Sequence, residues 1–346
     1  MNHVRQFGPG ILLCFAIAVP AWGLGAMFPV VGSPVFGILF GMLLALAFPN
    51  LPAAKNGTFS VGEGVKYTSK KILQYSVILL GFGMNLFHVL RVGAQSLSVI
   101  VFTLAASFIT AYLVGRMLKL DARTTTLIGV GTSICGGSAI AATAPVIGAK
   151  DEEVAHAIST IFLFNIIAVF IFPAVGMLLG LSDKGFGMWA GTAINDTSSV
   201  VAAGAAWSNA VHDNTALAFA TIVKLTRTLM IVPITLALAV YTAHKARRTH
   251  GSGGSAQYSV AKVFPWFVIW FVVAAVVNTF CAIPALSQAL VSLGKFMIVM
   301  AMAAIGLNTN LLKLIANGVR PIFLGVCCWA AVAVVSLAVQ QLTGMW

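Results

Sequence analysis

The chain has 346 residues, of which 60% are hydrophobic and 8% are charged, and its formal net charge is +12. A soluble globular protein carries about 25% charged residues, so this composition excludes that class. The excess positive charge does not indicate a nucleic-acid-binding protein, because apolar windows of about 20 residues recur from one end of the chain to the other.

These windows are each long enough to cross a bilayer as a helix. They predict an all-α membrane protein with about eleven transmembrane helices, forming a single polytopic transporter domain over residues 1–346. The predicted spans are roughly 8–28, 34–48, 72–90, 96–118, 123–148, 152–180, 186–206, 214–241, 263–283, 288–311 and 319–342.

The basic residues are distributed unevenly over the predicted loops. If the N-terminus is cytoplasmic, most of the 20 Lys and Arg residues fall on the inner side. Only Arg91 and Lys150 fall in outer loops, and Lys224, Arg227 and Lys295 lie inside spans. This asymmetry follows the positive-inside rule. It predicts a cytoplasmic N-terminus and a C-terminus outside.

The fifth predicted span is rich in glycine and hydroxyl side chains. Such a segment makes a poor continuous helix, and membrane proteins tolerate it only where it is buried or lines a wet cavity. A helix restarting near residues 136–138 would direct unpaired N–H groups and a positive dipole end at an anion. Close helix packing is the alternative. The candidate substrate-binding residues here are Thr132, Ser133, Gly136, Gly137 and Ser138.

The seventh predicted span carries a polar run in its middle. Asp196 is a lone carboxylate at membrane depth, and Ser, Thr and Asp favour helix N-caps, so a second helix break is expected here. Asp196 is predicted to act as a coupling or charge-pair residue. The candidate substrate-binding residues around it are Thr192, Asn195, Thr197 and Ser198.

The eighth predicted span holds two cations, Lys224 and Arg227, on one helix face. A cation at the bilayer centre costs about 2.5–3.5 kcal/mol on insertion scales. A structural ion pair with Asp196 is the alternative, but it would leave the second cation unexplained, whereas an anionic substrate would explain it. We therefore predict that both cations bind the substrate.

Two internal similarities indicate a repeat. Residues 131–134 match residues 191–194 at an offset of 60, and residues 81–93 match residues 306–318 at an offset of 225. The second pair lies on predicted helices of opposite direction, as an inverted repeat requires, whereas the first pair lies on parallel ones. We expect inverted repeats with discontinuous helices, and the pairing stays open.

Three segments carry a resemblance to a known family: GTSICGGSAIAATAPVIGA (131–149), WAGTAINDTSSVVAAG (189–204) and ATIVKLTRTLMIVP (220–233). They resemble the YeiH family of proposed sulfate exporters, and residues 301–321 resemble its penultimate helix. The resemblance implies a multi-pass protein of the bacterial inner membrane, loosely similar to bile-acid/Na⁺ symporters and cation/proton antiporters. Many relatives carry His where this chain has Asn195, which cannot titrate.

Together these features predict a secondary transporter of a small anion, with sulfate export by alternating access as the leading hypothesis. A Na⁺- or H⁺-coupled transporter of an organic anion, such as a sulfonate or carboxylate, and an anion channel are the alternatives. We find no hydrolase or protease motif and expect no enzymatic activity, cofactor, metal or nucleic-acid partner. The expected partners are the anion, Na⁺ or H⁺ as a coupling ion and the lipid bilayer, with homo-oligomerisation left open.

Overall fold

The computed structural model describes residues 2–28, 32–48, 55–56, 59–249, 266–281, 284–309 and 318–346. Two short strands, β1 (Lys55–Asn56) and β2 (Phe59–Ser60), pair antiparallel. The helices are α1 (Asn2–Met27), α2 (Ser33–Ala47), α3 (Val61–Tyr67), a π-helical turn (Thr68–Ile72), α4 (Leu73–Gly81), α5 (Leu86–Met117), α6 (Ala122–Ser133), α7 (Gly137–Ile147), α8 (Asp151–Leu178), α9 (Asp183–Ala193), α10 (Thr197–Val211), α11 (Thr215–Leu229), α12 (Ile231–Thr249), α13 (Trp266–Phe280), α14 (Pro284–Asn308) and α15 (Val319–Thr343).

The described helices confirm a helical multi-pass membrane protein. Within the described ranges, six helical segments are long and apolar enough to cross a membrane, and α2, α7 and α13 are shorter apolar helices. The predicted spans 72–90 and 96–118 are displaced, because one helical segment ends at Gly81 and α5 starts at Leu86. Asn85 fixes this start, since its side chain accepts a hydrogen bond from the N–H of Phe87 at 2.9 Å.

The fifth predicted span, 123–148, is a re-entrant hairpin, α6–α7, and does not cross the membrane. A continuous helix over this range would separate its ends by nearly 40 Å, at about 1.5 Å per residue. Instead, a guanidinium nitrogen of Arg123 lies 4.0 Å from the carboxylate of Glu153, in the first turn of α8. Gly136 has a φ of 69°, a left-handed conformation that suits glycine at this turn.

The seventh predicted span, 186–206, is a second re-entrant hairpin, α9–α10. The rings of Phe186 and Trp207 stack with centroids 4.1 Å apart, and Trp207 Nε1 donates to Asp183 Oδ1 at 2.7 Å. A straight helix would hold residues 186 and 207 about 30 Å apart. The chain therefore returns to the side from which it entered.

The two hairpins enter from opposite sides, because α8 crosses the membrane between them. We call the side that holds residues 118–121 the inner side and the opposite one the outer side. The similarity at offset 60 now lies on the tips of oppositely directed hairpins, as an inverted repeat requires. The excess of basic residues on the inner side is retained, because the hairpins place Lys150 on the inner side and Lys184 on the outer side.

Cysteine labelling will separate this topology from eleven full spans. Single cysteines at the exposed positions Lys119 and Lys150 will react with an impermeant maleimide from the same side of the membrane. A second pair at Lys184 and Asp213 will react from the opposite side. The measurement uses right-side-out and inverted vesicles and a background without the native cysteines. Labelling of positions 119 and 150 from opposite faces would contradict the hairpin α6–α7.

The helices pack into two bundles. The hairpin bundle comprises α5, both hairpins, α8, α11, α12 and α15, and the scaffold bundle comprises α1–α4, α13 and α14. On the outer side the bundles touch where α10 meets α2 and α14. There a Cβ at Gly32 would lie only 2.8 Å from Ala206 Cα. Lys295 Nζ also donates to Asn214 Oδ1 at 2.6 Å.

Candidate substrate site between the two bundles

The tips of both hairpins meet at the buried end of Arg227. Arg227 Nε donates to the carbonyl of Ser133 at 2.6 Å, and its two terminal nitrogens donate to the carbonyls of Thr132 and Thr192. The first two carbonyls end α6, and the third belongs to the last turn of α9. The planar guanidinium therefore joins the two hairpins through fixed donors.

Lys224 makes a second link of the same kind. Its Nζ donates to the carbonyl of Ile134 at 2.7 Å and to that of Ile194 at 3.1 Å, one from each hairpin. Both Lys224 and Arg227 have 0% exposure. Carbonyls at a helix C-terminus carry the negative end of the helix dipole, so a cation there is stabilising. We call Lys224 and Arg227 the cationic clamp.

The second helix of each hairpin begins at the tip where the first one ends, so the N-termini of α7 and α10 also lie at the tips. Asp196 caps α10, because its carboxylate accepts hydrogen bonds from the N–H of Ser198 at 3.1 Å and from the Ser198 hydroxyl. No described side chain caps α7 at Gly136. Asp196 forms no salt bridge with Lys224 or Arg227, so the predicted ion pair is not seen in the described part of the chain.

A cavity of about 590 Å³ lies between the two bundles, on the inner side of the hairpin tips. Its hairpin-bundle wall is formed by Gly137, Ser138, Ala141, Ile158, Ser159, Phe162, Asp196, Thr197 and Ser198. Its scaffold wall is formed by Ser69, Lys70, Leu73, Gln74, Val77, Phe267, Ile305, Asn308 and Thr309. Both helix N-termini therefore face the cavity, while the cationic clamp lies behind the tips.

The structure thus divides the predicted site residues into two groups. Those that line the cavity are Gly137, Ser138, Asp196, Thr197 and Ser198. Those that lie outside its lining are Thr132, Ser133, Gly136, Thr192, Asn195, Lys224 and Arg227. Among the second group, Thr192 Oγ1 is 2.6 Å from Ser336 Oγ. The side-chain amide of Asn195 is buried without a hydrogen-bond partner among the described residues.

Six polar residues of the described cavity lining were not among the predicted site residues: Ser69, Lys70, Gln74, Ser159, Asn308 and Thr309. In the sequence, the basic residue Lys70 is explained by the positive-inside rule alone, without any site. The π-helical turn that holds it leaves no clear pattern in the sequence.

Comparison with known proteins gives one family over most of the chain. Residues 9–325 match the family described as conserved hypothetical protein 698. A UPF0324 membrane protein of Streptococcus pyogenes serotype M18 is 53% identical, over 100% of this chain and 99% of that protein. A UPF0324 membrane protein of Fusobacterium nucleatum is 48% identical, over 97% of this chain and 98% of its own length.

Proposed function

The chain belongs to the family described as conserved hypothetical protein 698, the YeiH-like family that its motifs resemble, and we propose that it is a secondary transporter of a small anion. The observation that carries this proposal is the cavity between the bundles. Each bundle supplies half of the cavity wall, and both α7 and α10 begin at the cavity.

The arrangement of the bundles supports alternating access. The cavity reaches the inner side, where Lys70 and Asn308 are exposed. On the outer side, α10 packs against α2 and α14, so the two bundles are in contact there. A movement of the hairpin bundle against the scaffold bundle would open the outer contact and close the inner one around a fixed substrate site.

The direction of the helix dipoles supports an anion as the substrate. A helix carries about +0.5 charge at its N-terminus and −0.5 at its C-terminus. The two positive ends face the cavity, while the cationic clamp covers the two negative ends. The field in the cavity is therefore positive apart from the carboxylate of Asp196, and unpaired N–H groups of α7 are suitable donors to an oxyanion.

Sulfate is the first substrate to test, and we expect saturable counterflow of labelled sulfate in proteoliposomes. Unlabelled sulfate and thiosulfate will compete, and chloride will not. Empty liposomes are the control. Flux that neither saturates nor shows counterflow would favour the anion channel. Absence of flux for all anions tested, in vesicles that contain correctly inserted protein, would contradict the transporter.

Two observations favour a second candidate, a Na⁺- or H⁺-coupled transporter of an organic anion. The cavity of about 590 Å³ is larger than one sulfate ion requires, and its wall includes Leu73, Phe162 and Phe267. The carboxylate of Asp196 also lines the cavity and forms no salt bridge with a described residue, so its oxygens are available as ligands for a coupling cation. Uptake of a sulfonate or carboxylate that depends on a Na⁺ or pH gradient would select this candidate.

A further inference from the structure

We infer that Lys70 sets the charge of the transported anion and makes the site selective for a dianion. This inference rests on the proposed anion transport. It assigns to Lys70, on the scaffold wall, the substrate contact that the sequence suggested for Lys224 and Arg227.

The position of Lys70 gives it access to a substrate. It lines the cavity on the wall opposite Gly137 and Thr197, which begin α7 and α10. Its side chain is exposed and forms no salt bridge with any described residue. Among the described residues that line the cavity, Lys70 is the only basic residue and Asp196 the only acidic one. An anion bound at the hairpin tips would therefore meet Lys70 from the other bundle.

The backbone around Lys70 is irregular. Residues 68–72 form a π-helical turn, in which the N–H of Leu73 donates to the carbonyl of Thr68, five residues earlier. Such turns interrupt α-helices often at functional positions. Lys70 lines the cavity, but Lys71, which is equally basic and also exposed, does not. Lys71 is therefore a matched control in the same turn.

The charges around the tips decide which anion fits. The partial charges of the four helix ends cancel, since two N-termini and two C-termini meet there. The buried cations Lys224 and Arg227, together with the partly exposed carboxylate of Asp196, leave one net positive charge. Lys70 raises it to two. A dianion such as sulfate neutralises this set, whereas a monoanion leaves one positive charge uncompensated.

The test compares wild type, Lys70→Gln and Lys71→Gln in proteoliposomes, with sulfate as the dianion and methanesulfonate as the monoanion. Lys70→Gln will raise the half-saturating sulfate concentration about tenfold, which corresponds to about 1.4 kcal/mol. It will raise that of methanesulfonate only about threefold, because the lost positive charge acts on one negative charge instead of two, and the remaining transport shows in the same assay that the variant is folded. Lys71→Gln will change neither value.

Restoration of the charge provides a second measurement. Lys70→Cys, in a background without the native cysteines, will regain sulfate affinity after reaction with an aminoethyl thiosulfonate, which adds an ammonium group. It will not regain affinity with a sulfonatoethyl reagent. Equal sulfate affinities for Lys70→Gln and Lys71→Gln would overturn the role of Lys70 while leaving the transporter intact. Absence of any anion flux in wild type would instead overturn the proposed function, and this inference with it.

Discussion

Arg227→Ala will abolish transport and will lower the thermal stability of the inserted protein. The guanidinium is fully buried and donates to carbonyls of Thr132, Ser133 and Thr192, so its removal leaves them without partners at membrane depth. Each buried polar group left unsatisfied costs about 1–3 kcal/mol. The two hairpin tips also lose their main link. Arg227→Lys will not restore function, because a single ammonium cannot replace three donors in a planar fork.

The measurement is thermal unfolding of the purified protein together with sulfate counterflow. Arg91→Ala is the control, since Arg91 lies exposed on α5. We expect Arg227→Ala to lower the unfolding temperature even without sulfate, whereas Arg91→Ala will leave both quantities near wild type. A variant with wild-type stability that has lost only the stabilisation by added sulfate would show that Arg227 binds the substrate directly.

The sequence predicts where both helix breaks lie and which residues stand at them. A helix does restart at Gly137, and Asp196 does cap the helix that follows it. The charge of Lys224 and Arg227 likewise indicated that they meet something negative. What they meet is backbone carbonyl oxygen, and residue types do not show where a backbone carbonyl will point.

The re-entrant hairpins could not be predicted from hydropathy. The two helices of each hairpin together contain about as many apolar residues as one span, so a window analysis cannot tell a fold-back from a crossing. The similarity between residues 131–134 and 191–194 contained the missing signal. If each segment is a full crossing, the two matching stretches lie on parallel helices. Contacts such as that of Phe186 with Trp207 show hairpins instead, and the two stretches then run in opposite directions.

Asp196→Asn will abolish accumulation of the anion driven by an ion gradient while counterflow persists. Asparagine is as good an N-cap as aspartate, so the bond to the N–H of Ser198 and the start of α10 are kept. The substitution removes the one carboxylate of the described cavity lining, which is the group available to a coupling Na⁺ or H⁺. Because a negative charge is lost beside the anion, we expect the half-saturating sulfate concentration to fall about tenfold.

Asp213→Asn is the matched control for this experiment. Asp213 accepts a hydrogen bond from the N–H of Thr215 at the start of α11, much as Asp196 does at α10, but it lies in the exposed outer loop. The Thr215 hydroxyl lowers the pKa of the Asp213 carboxyl, so this group is ionised at neutral pH. Asp213→Asn will therefore remove an equal charge without changing coupling or affinity. If Asp196→Asn still accumulates the anion along a gradient, Asp196 is a helix cap only, and the coupling ion binds elsewhere or is absent.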